Sequence, residues 1–284
     1  MLTPEQELPV YAVISNQNTG NTLLPLLSSI YQTEERQQPY DGIVVVDGGS
    51  NDNSQQIVES YQEYDANLDW LGASKSAGSS SLKNRGALHV HEKAGQAILH
   101  FIEADMELVN GVTAPSVANN LLAQPNVAFV GGLIQDPNGR QHTLNYGPRY
   151  CLATYAGAAF LQLAGNSAEE DKRGLPGFPN PHEAPTARKV GWVMERNMLI
   201  TTTMLEALGG FDNAFKHRHH DAQPLALAAM RQHLDVQFDP SFPLTQLPTT
   251  SDRLRPPRIH QMLRADARLI RRYVGFRNFI KPKR

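Results

Sequence analysis

The 284-residue chain is predicted to be an α/β protein, with a mixed, mainly parallel sheet flanked by helices in a single compact domain. Three observations predict it. Short apolar runs alternate with segments of helical spacing through the first half, the pattern of strands joined by crossover helices. Each apolar run breaks into polar residues at its C-terminal end. Three of those polar clusters, residues 15–18, 47–52 and 103–107, would therefore meet at one sheet edge, where ligands bind in such folds.

The elements follow in order. "VYAVISNQN" (10–18) is a short β-branched run that turns polar, a buried strand ending in a loop. "TLLPLLSSIYQ" (22–32) has apolar residues at helical spacing, with Thr22 near its start. In "DGIVVVDGGSNDNS" (41–54) a continuous apolar strand, Ile43 to Val46, runs into a turn of helix-capping residues. "QQIVESYQEY" follows as a helix, "LDWLGAS" as a third strand, "SLKNRGALHVHEKA" as a helix and "AILHFIEAD" as a fourth strand.

The second half is less regular. "VAFVGGLIQDPNGRQHTLNYG" reads as a β-hairpin with "DPNG" as its turn. Residues 164–189 are rich in Gly, Pro and charge and read as a long loop of the kind that is commonly functional. "GWVMERNMLITTTMLEALGGFD" reads as a strand and then a helix ended by Gly209 and Gly210. "DAQPLALAAMRQH" reads as a helix with Asp221 near its N-terminus and Pro224 in its first turn. A nucleotide-binding half (1–125), an acceptor-binding half (126–250) and a C-terminal tail (251–284) are the expected divisions.

Composition narrows the class. Hydrophobic residues at 40% and charged residues at 19% are ordinary for a globular protein. A single cysteine, Cys151, excludes an internal disulfide framework. No apolar run approaches the ~20 residues that span a bilayer, and the acidic N-terminus lacks the order of a signal peptide. A cytoplasmic protein is expected. The net charge of −2 hides an asymmetry: residues 253–284 hold eleven Arg or Lys and one acid, Asp266, which leaves 15 basic and 27 acidic residues before them. This tail interleaves Arg and Lys with Leu, Ile, Tyr and Phe. Peripheral contact with an anionic membrane, packing on the acidic body and binding of a partner subunit are equal readings of it. No recognition motif for nucleic acid accompanies it.

Five motifs, taken together, resemble the family 2 glycosyltransferases, nucleotide-sugar-dependent enzymes of the GT-A fold. "VISNQN" sits where that family has a strand ending near Pro-x-Tyr-Asn; Ser15 and Gln17 depart from it and Asn18 agrees. "IVVVDGGSNDNS" is similar to "VVVDxGSxDxS", and "AGSSSLKNRGA" to "NxGxxxARNxG". "FIEADMEL" falls where the family has "FLDADxxL", and "NMLITTTMLEALGGFD" resembles "NMxxRRxxLExxGGFDE". The likeness runs over residues 8–240 in the family's order. Each motif alone is weak, and their order carries the resemblance.

The chemistry of such a transferase fits these positions. Breaking a bond between an anomeric carbon and a diphosphate puts charge on phosphate oxygens, which Mn²⁺ or Mg²⁺ can stabilise. Such ions take hard oxygen ligands, often only one or two carboxylates plus substrate oxygens. Asp105 is the candidate ligand, as the last acid of the family's triplet. Glu103 takes the first acidic position, which in the family is more often Asp and faces the sugar or ribose. A carboxylate at Asp47 can accept the imide N–H of uracil or thymine; the competing reading is an Asx-turn or helix cap. Gly48 and Gly49 permit a tight turn, with Gly49 close to the nucleotide. Ser15, Asn16 and Asn18 would flank the base or ribose. Lys83 or Arg85 could reach the diphosphate, and Arg85 is preferred.

An inverting enzyme also needs a base for the acceptor hydroxyl. In the resemblance Asp221 stands at that place and His220 replaces the acid before it, so either could serve; helix capping is the competing reading for Asp221. The His217, His219 and His220 group could complete a metal shell, although its spacing lacks a zinc pattern.

The resemblance thus implies transfer of a sugar from a UDP- or dTDP-sugar to a hydroxyl of a glycan or lipid-linked acceptor. Two alternatives stand beside it. A sugar nucleotidyltransferase is expected to open on a Gly-rich basic loop, which "ISNQNTGNTLL" lacks. A non-catalytic glycan- or nucleotide-binding protein would account for the departures at Ser15, Gln17, Glu103 and His220.

Overall fold

The structure, a computed structural model, is described over residues 7–31, 39–75, 77–109, 114–142, 144–148, 179–180, 183–213 and 221–248. The tail from 249, most of the long loop, Cys151 and the histidines at 217, 219 and 220 lie outside the described residues.

The first half alternates as the sequence predicts. β1 (Val10–Asn16), β2 (Gly42–Asp47), β3 (Leu68–Gly72) and β4 (Ile98–Glu103) are joined through α1 (Gly20–Tyr31), α2 (Ser54–Gln62) and α3 (Ser79–Ala94). The chain continues through β5 (Met106–Leu108), α4 (Pro115–Leu122), β6 (Val127–Gln135), β7 (Tyr146–Gly147), β8 (Arg188–Val190), β9 (Trp192–Val193), β10 (Asn197–Thr201), α5 (Thr202–Ala207), α6 (Ala222–Arg231) and β11 (Asp235–Gln246).

The main sheet has the order β3-β2-β1-β4-β10-β6-β11-β5, and β8 also pairs with β11. β1 to β4 are mutually parallel where they pair. β10 enters antiparallel between β4 and β6. Alternate side chains of each strand therefore feed two cores. Ala12, Ile14, Ile43 and Val45 face α1 and α2, where Leu23, Leu26, Leu27 and Val58 are fully buried. Val13, Val44, Val46 and Phe101 face the opposite layer, with Leu82 and Val90 of α3 and Leu225 of α6. Each such aliphatic burial contributes about 1.5–3 kcal/mol. α3 approaches the sheet closely because residue 86 is glycine: a Cβ there would lie 2.4 Å from a Val13 methyl.

A polar chain threads the middle of the sheet. Tyr40 donates to His100 Nδ1 at 2.8 Å, His100 Nε2 lies 2.8 Å from Asn197 Oδ1, and the Asn197 amide donates to the carbonyls of Leu133 and Phe242. The Asn197 oxygen only accepts, so His100 carries its proton on Nε2. Burial holds this imidazole neutral, with its pKa lowered to about 4.

The expected hairpin is cut short. The "DPNG" turn closes, with Gly139 N–H donating to Asp136 C=O, and the returning chain pairs briefly with the end of β6, through the bridge Gln135–Gln141 and His142 N–H donating to the Ile134 carbonyl, without forming a second strand there. β7 pairs with β9 instead. The pairing with β6 stops there because, further back along that strand, β10 pairs with Val130 and Gly131 while β11 holds the other edge.

Candidate active site

Parallel strands present their C-terminal ends to one edge, and an antiparallel strand inserted among them presents its N-terminal end there. Register makes this concrete. Asn16 lies opposite Asp47, Ser15 opposite Glu103, and Asn197 opposite Ile102, so the turn before β10, Glu195–Arg196, abuts the end of β4. Two polar groups result.

The first surrounds the β2 turn. Asp47 is buried, and its Oδ1 accepts from the Asn16 amide and the Ser50 hydroxyl. Its Oδ2 accepts from the backbone N–H groups of Gly49 and Ser50 at 3.0 and 2.8 Å. This is the Asx-turn weighed against a nucleobase contact, and four bonds occupy the carboxylate. Gly49, at φ +78°, adopts the left-handed conformation that the turn requires. Asn18 also has positive φ and is exposed; its side chain accepts from Asn51 N–H while its own N–H donates to Ser50. Ser15, half-buried between the two groups, has a hydroxyl oxygen with no partner among the described residues.

The second group is a buried charged cluster. Lys83 of α3, wholly buried, lies 3.2 Å from Asp221 Oδ2 and 3.6 Å from Glu103. Arg196 lies 3.0 Å from Glu103 Oε2 and 3.5 Å from Asp105 Oδ2. Ser80 donates to Asp221 Oδ1 at 2.9 Å. Asp221 begins α6 but does not cap it with its side chain, which is drawn to Lys83 and Ser80 instead. Burial depresses the Lys83 ammonium, but the carboxylates of Asp221, Glu103 and Glu195 outweigh it and hold the pKa above the ordinary value. Burial raises Asp105, against the opposing pull of Arg196. Burial, then the neighbouring Asp221 carboxylate, raises Glu195 to about 7.

Asp105 sits in the turn between β4 and β5, anchored by Leu247 N–H donating to its carbonyl and by Gln246 near its Oδ2. Its Oδ1 is buried with no hydrogen-bond partner among the described residues. An orphaned carboxylate oxygen suits one ligand position of a hard divalent ion. Among the described residues no group of three His, Cys, Asp or Glu gathers as a cage. The donor set therefore fits an ion completed by substrate oxygens rather than one held by protein alone.

The structure thus brings Glu103, Asp105 and Asp221 into one cluster and places Ser15, Asn16, Asn18, Asp47 and Gly49 beside it. Arg85 is not part of it: it is exposed on the outer face of α3 while Lys83 points inward. His220 lies outside the described residues. Glu195 and Arg196 were not singled out from the sequence, although two charges inside the apolar run "WVMERNML" require buried partners.

The comparisons with known proteins fit this geometry. The model of "Glycosyl transferase family 2" matches residues 11–163. No curated protein matches the chain. Among solved structures, GalNAc-T7 with UDP, GalNAc and Mn²⁺ superposes with a TM-score of 0.64 at 14% identity, covering 94% of this chain and 48% of that one. The mannosyltransferase PcManGT from Pyrobaculum calidifontis, in complex with GDP-Man and Mn²⁺, gives 0.57 at 16% identity, over 94% of this chain and 66% of that one. The chain spans about half the length of the first and less than two thirds of the second, and at such identities the likeness establishes the GT-A fold alone. With more than half its residues matched by the family model and the fold in agreement, the chain belongs to glycosyl transferase family 2.

Proposed function

We propose that the protein is an inverting glycosyltransferase that moves a sugar from a UDP- or dTDP-sugar to a hydroxyl of a glycan or lipid-linked acceptor. The observation that carries it is the buried acid–base cluster at the edge where β1, β2 and β4 end, beside the polar turn that follows β2. Asn16, Asn18, Ser15 and the Asp47 turn bind the nucleoside. An imide N–H reaches Asp47 Oδ1 when the Ser50 hydroxyl rotates away from it. Glu103 faces the sugar or ribose. Asp105, with Oδ1 open to a ligand, would hold Mn²⁺ or Mg²⁺, which supplies charge neutralisation at the leaving diphosphate. Lys83, rather than Arg85, fixes the carboxylates Asp221 and Glu103 so that an acceptor hydroxyl meets an ordered acid. His220 is a second candidate for that proton. The neighbours' Mn²⁺ complexes and the cluster's composition support the metal. Within the described residues no helix is long and apolar enough to cross a membrane; a cytoplasmic site of action with peripheral membrane contact through the basic tail completes the reading.

Calorimetric titration with UDP, dTDP and GDP, with and without Mn²⁺, tests it. UDP and dTDP should bind at least about tenfold tighter than GDP, and Asp105→Asn should lose the Mn²⁺-dependent part. Equal binding of GDP would refute the base assignment, and an unchanged metal effect in Asp105→Asn would refute the ligand. Binding of no nucleotide at all would overturn the transferase reading.

A further inference from the structure

Arg196 has no part in the reaction above, yet it lies against both acids that the divalent ion and the donor would meet. It stands in the turn before β10, and Asn197, next in the chain, pairs opposite Ile102 of β4. That register brings the guanidinium to the end of β4, where Nη2 lies 3.0 Å from Glu103 Oε2 and Nη1 lies 3.5 Å from Asp105 Oδ2. The two carboxylates thus share one cation. The place is largely closed to solvent, with 7% of the Arg196 side chain exposed, 9% of Asp105 and 14% of Glu103. The Gln246 amide approaches the same Asp105 oxygen at 3.4 Å, so Oδ2 faces protein donors and Oδ1 is the oxygen left for an ion. Lys83 serves the other side of the cluster, Glu103 and Asp221.

A divalent ion on Asp105 Oδ1 would share one carboxylate with a guanidinium that is already there. Like charges a few ångströms apart repel strongly where the water and salt that screen surface pairs are missing. A bare ion therefore enters against Arg196. A nucleoside diphosphate changes the balance, because its phosphates bring negative charge to the same strand end and compensate both cations.

We infer that Arg196 is a charge interlock: by occupying Glu103 and Asp105 in the nucleotide-free protein, it holds off Mn²⁺ or Mg²⁺ until a nucleoside diphosphate comes with the ion. The inference rests on the reading of Asp105 as the metal ligand. It adds a residue outside the sequence motifs and outside residues 11–163, which the family model matches. Linkage makes the effect reciprocal: the factor by which the nucleotide raises the ion's affinity is the factor by which the ion raises the nucleotide's. The empty site also stays ordered, because a guanidinium rather than a metal holds its two acids together. A purely structural Arg196 predicts the opposite sign, since loosening Glu103 and Asp105 would weaken the ion's site rather than open it.

Mn²⁺ binding, read from the loss of the free-ion electron paramagnetic resonance signal, tests this in the wild type, Arg196→Gln and Arg196→Lys. Each protein is titrated without nucleotide and with UDP, against a blank of UDP alone. Without nucleotide, Arg196→Gln should bind Mn²⁺ about tenfold tighter than the wild type, a factor ordinary for linked sites. Arg196→Lys keeps the charge and should stay within about threefold of the wild type. The gain in Mn²⁺ affinity that UDP confers should shrink about tenfold in Arg196→Gln. Bare Mn²⁺ bound equally or more weakly by Arg196→Gln would overturn the interlock, while UDP-dependent Mn²⁺ binding by the wild type would leave the metal ligand and the transferase reading standing. A wild type that binds no Mn²⁺ even with UDP would instead sink the metal assignment on which the inference rests. If Arg196→Gln does not fold alone, Mn²⁺ decides: a cooperative thermal melt restored by the ion upholds the exchange of one cation for the other, and no such melt refutes it.

Discussion

Replacing Lys83 by Met removes one charge and leaves an unbranched stem of similar length in a fully buried place. The ammonium stands 3.2 Å from Asp221 and 3.6 Å from Glu103, so at an effective dielectric constant of about 20 each attraction is worth about 5 kcal/mol. Dehydrating the ammonium offsets much of that sum. What the variant loses is set by the carboxylates left behind, and breaking a buried pair on one side costs about 3–5 kcal/mol. The loss should depend on pH. Glu195 has a folded pKa raised to about 7 from an ordinary 4.5, so its contribution to stability is intact below 4.5 and falls as pH rises through 7. Lys83 now restrains that rise, and without it Glu195 shifts further up. The deficit should therefore be smaller at pH 5 than at pH 8. Urea unfolding at both pH values, followed by tryptophan fluorescence, measures it. A deficit under about 1 kcal/mol, or one that does not shrink on acidification, would show that solvent screens this cluster and that the ion pairs do not organise the site.

Two further perturbations probe the scaffold. Gly49→Ala forces a side chain into φ +78° and against the backbone of Lys75, 3.1 Å from the new Cβ; it should cost about 1–2 kcal/mol and weaken UDP binding in the same calorimetric titration. His100, neutral in the fold with a pKa of about 4 against 6.5 when unfolded, gives stability that is present above pH 6.5 and lost as pH falls towards 4, about 3 kcal/mol over that interval. In His100→Gln that slope in a pH series of thermal melts should flatten; an unchanged slope would place the acid sensitivity elsewhere.

The strands at the nucleotide edge were legible because each is a continuous apolar run, and a run buried on both faces leaves few other conformations. Helical periodicity also contained the answer at Lys83. It stands three residues after Ser80, four before Ala87 and seven before Val90, all on the buried stripe of α3, whereas Arg85 falls on the other face with Leu88. The hairpin stays short for a nonlocal reason: how much of β6 remains available to the returning chain depends on residues 197–201, which pair with Val130 and Gly131 and which no local pattern reveals. Asp47 shows a third limit. Its position at the strand end was legible, but which of its many donors it would choose depends on Asn16, thirty-one residues away. Glu195 and Arg196 became meaningful only once β10 proved antiparallel and delivered its N-terminal end to the site.

That insertion has a consequence for how the chain can be divided. The parallel strands of the first half end at β4, and β10 closes the β4 edge from the far side of the sequence. A fragment stopping near residue 125 would leave β4 as an open edge, with the β-branched and aromatic residues of "ILHFIE" beside unpaired backbone groups. Such an edge is a template for adding strands from other molecules. In the intact chain that edge is covered by β10, a strand drawn from almost a hundred residues further along the sequence.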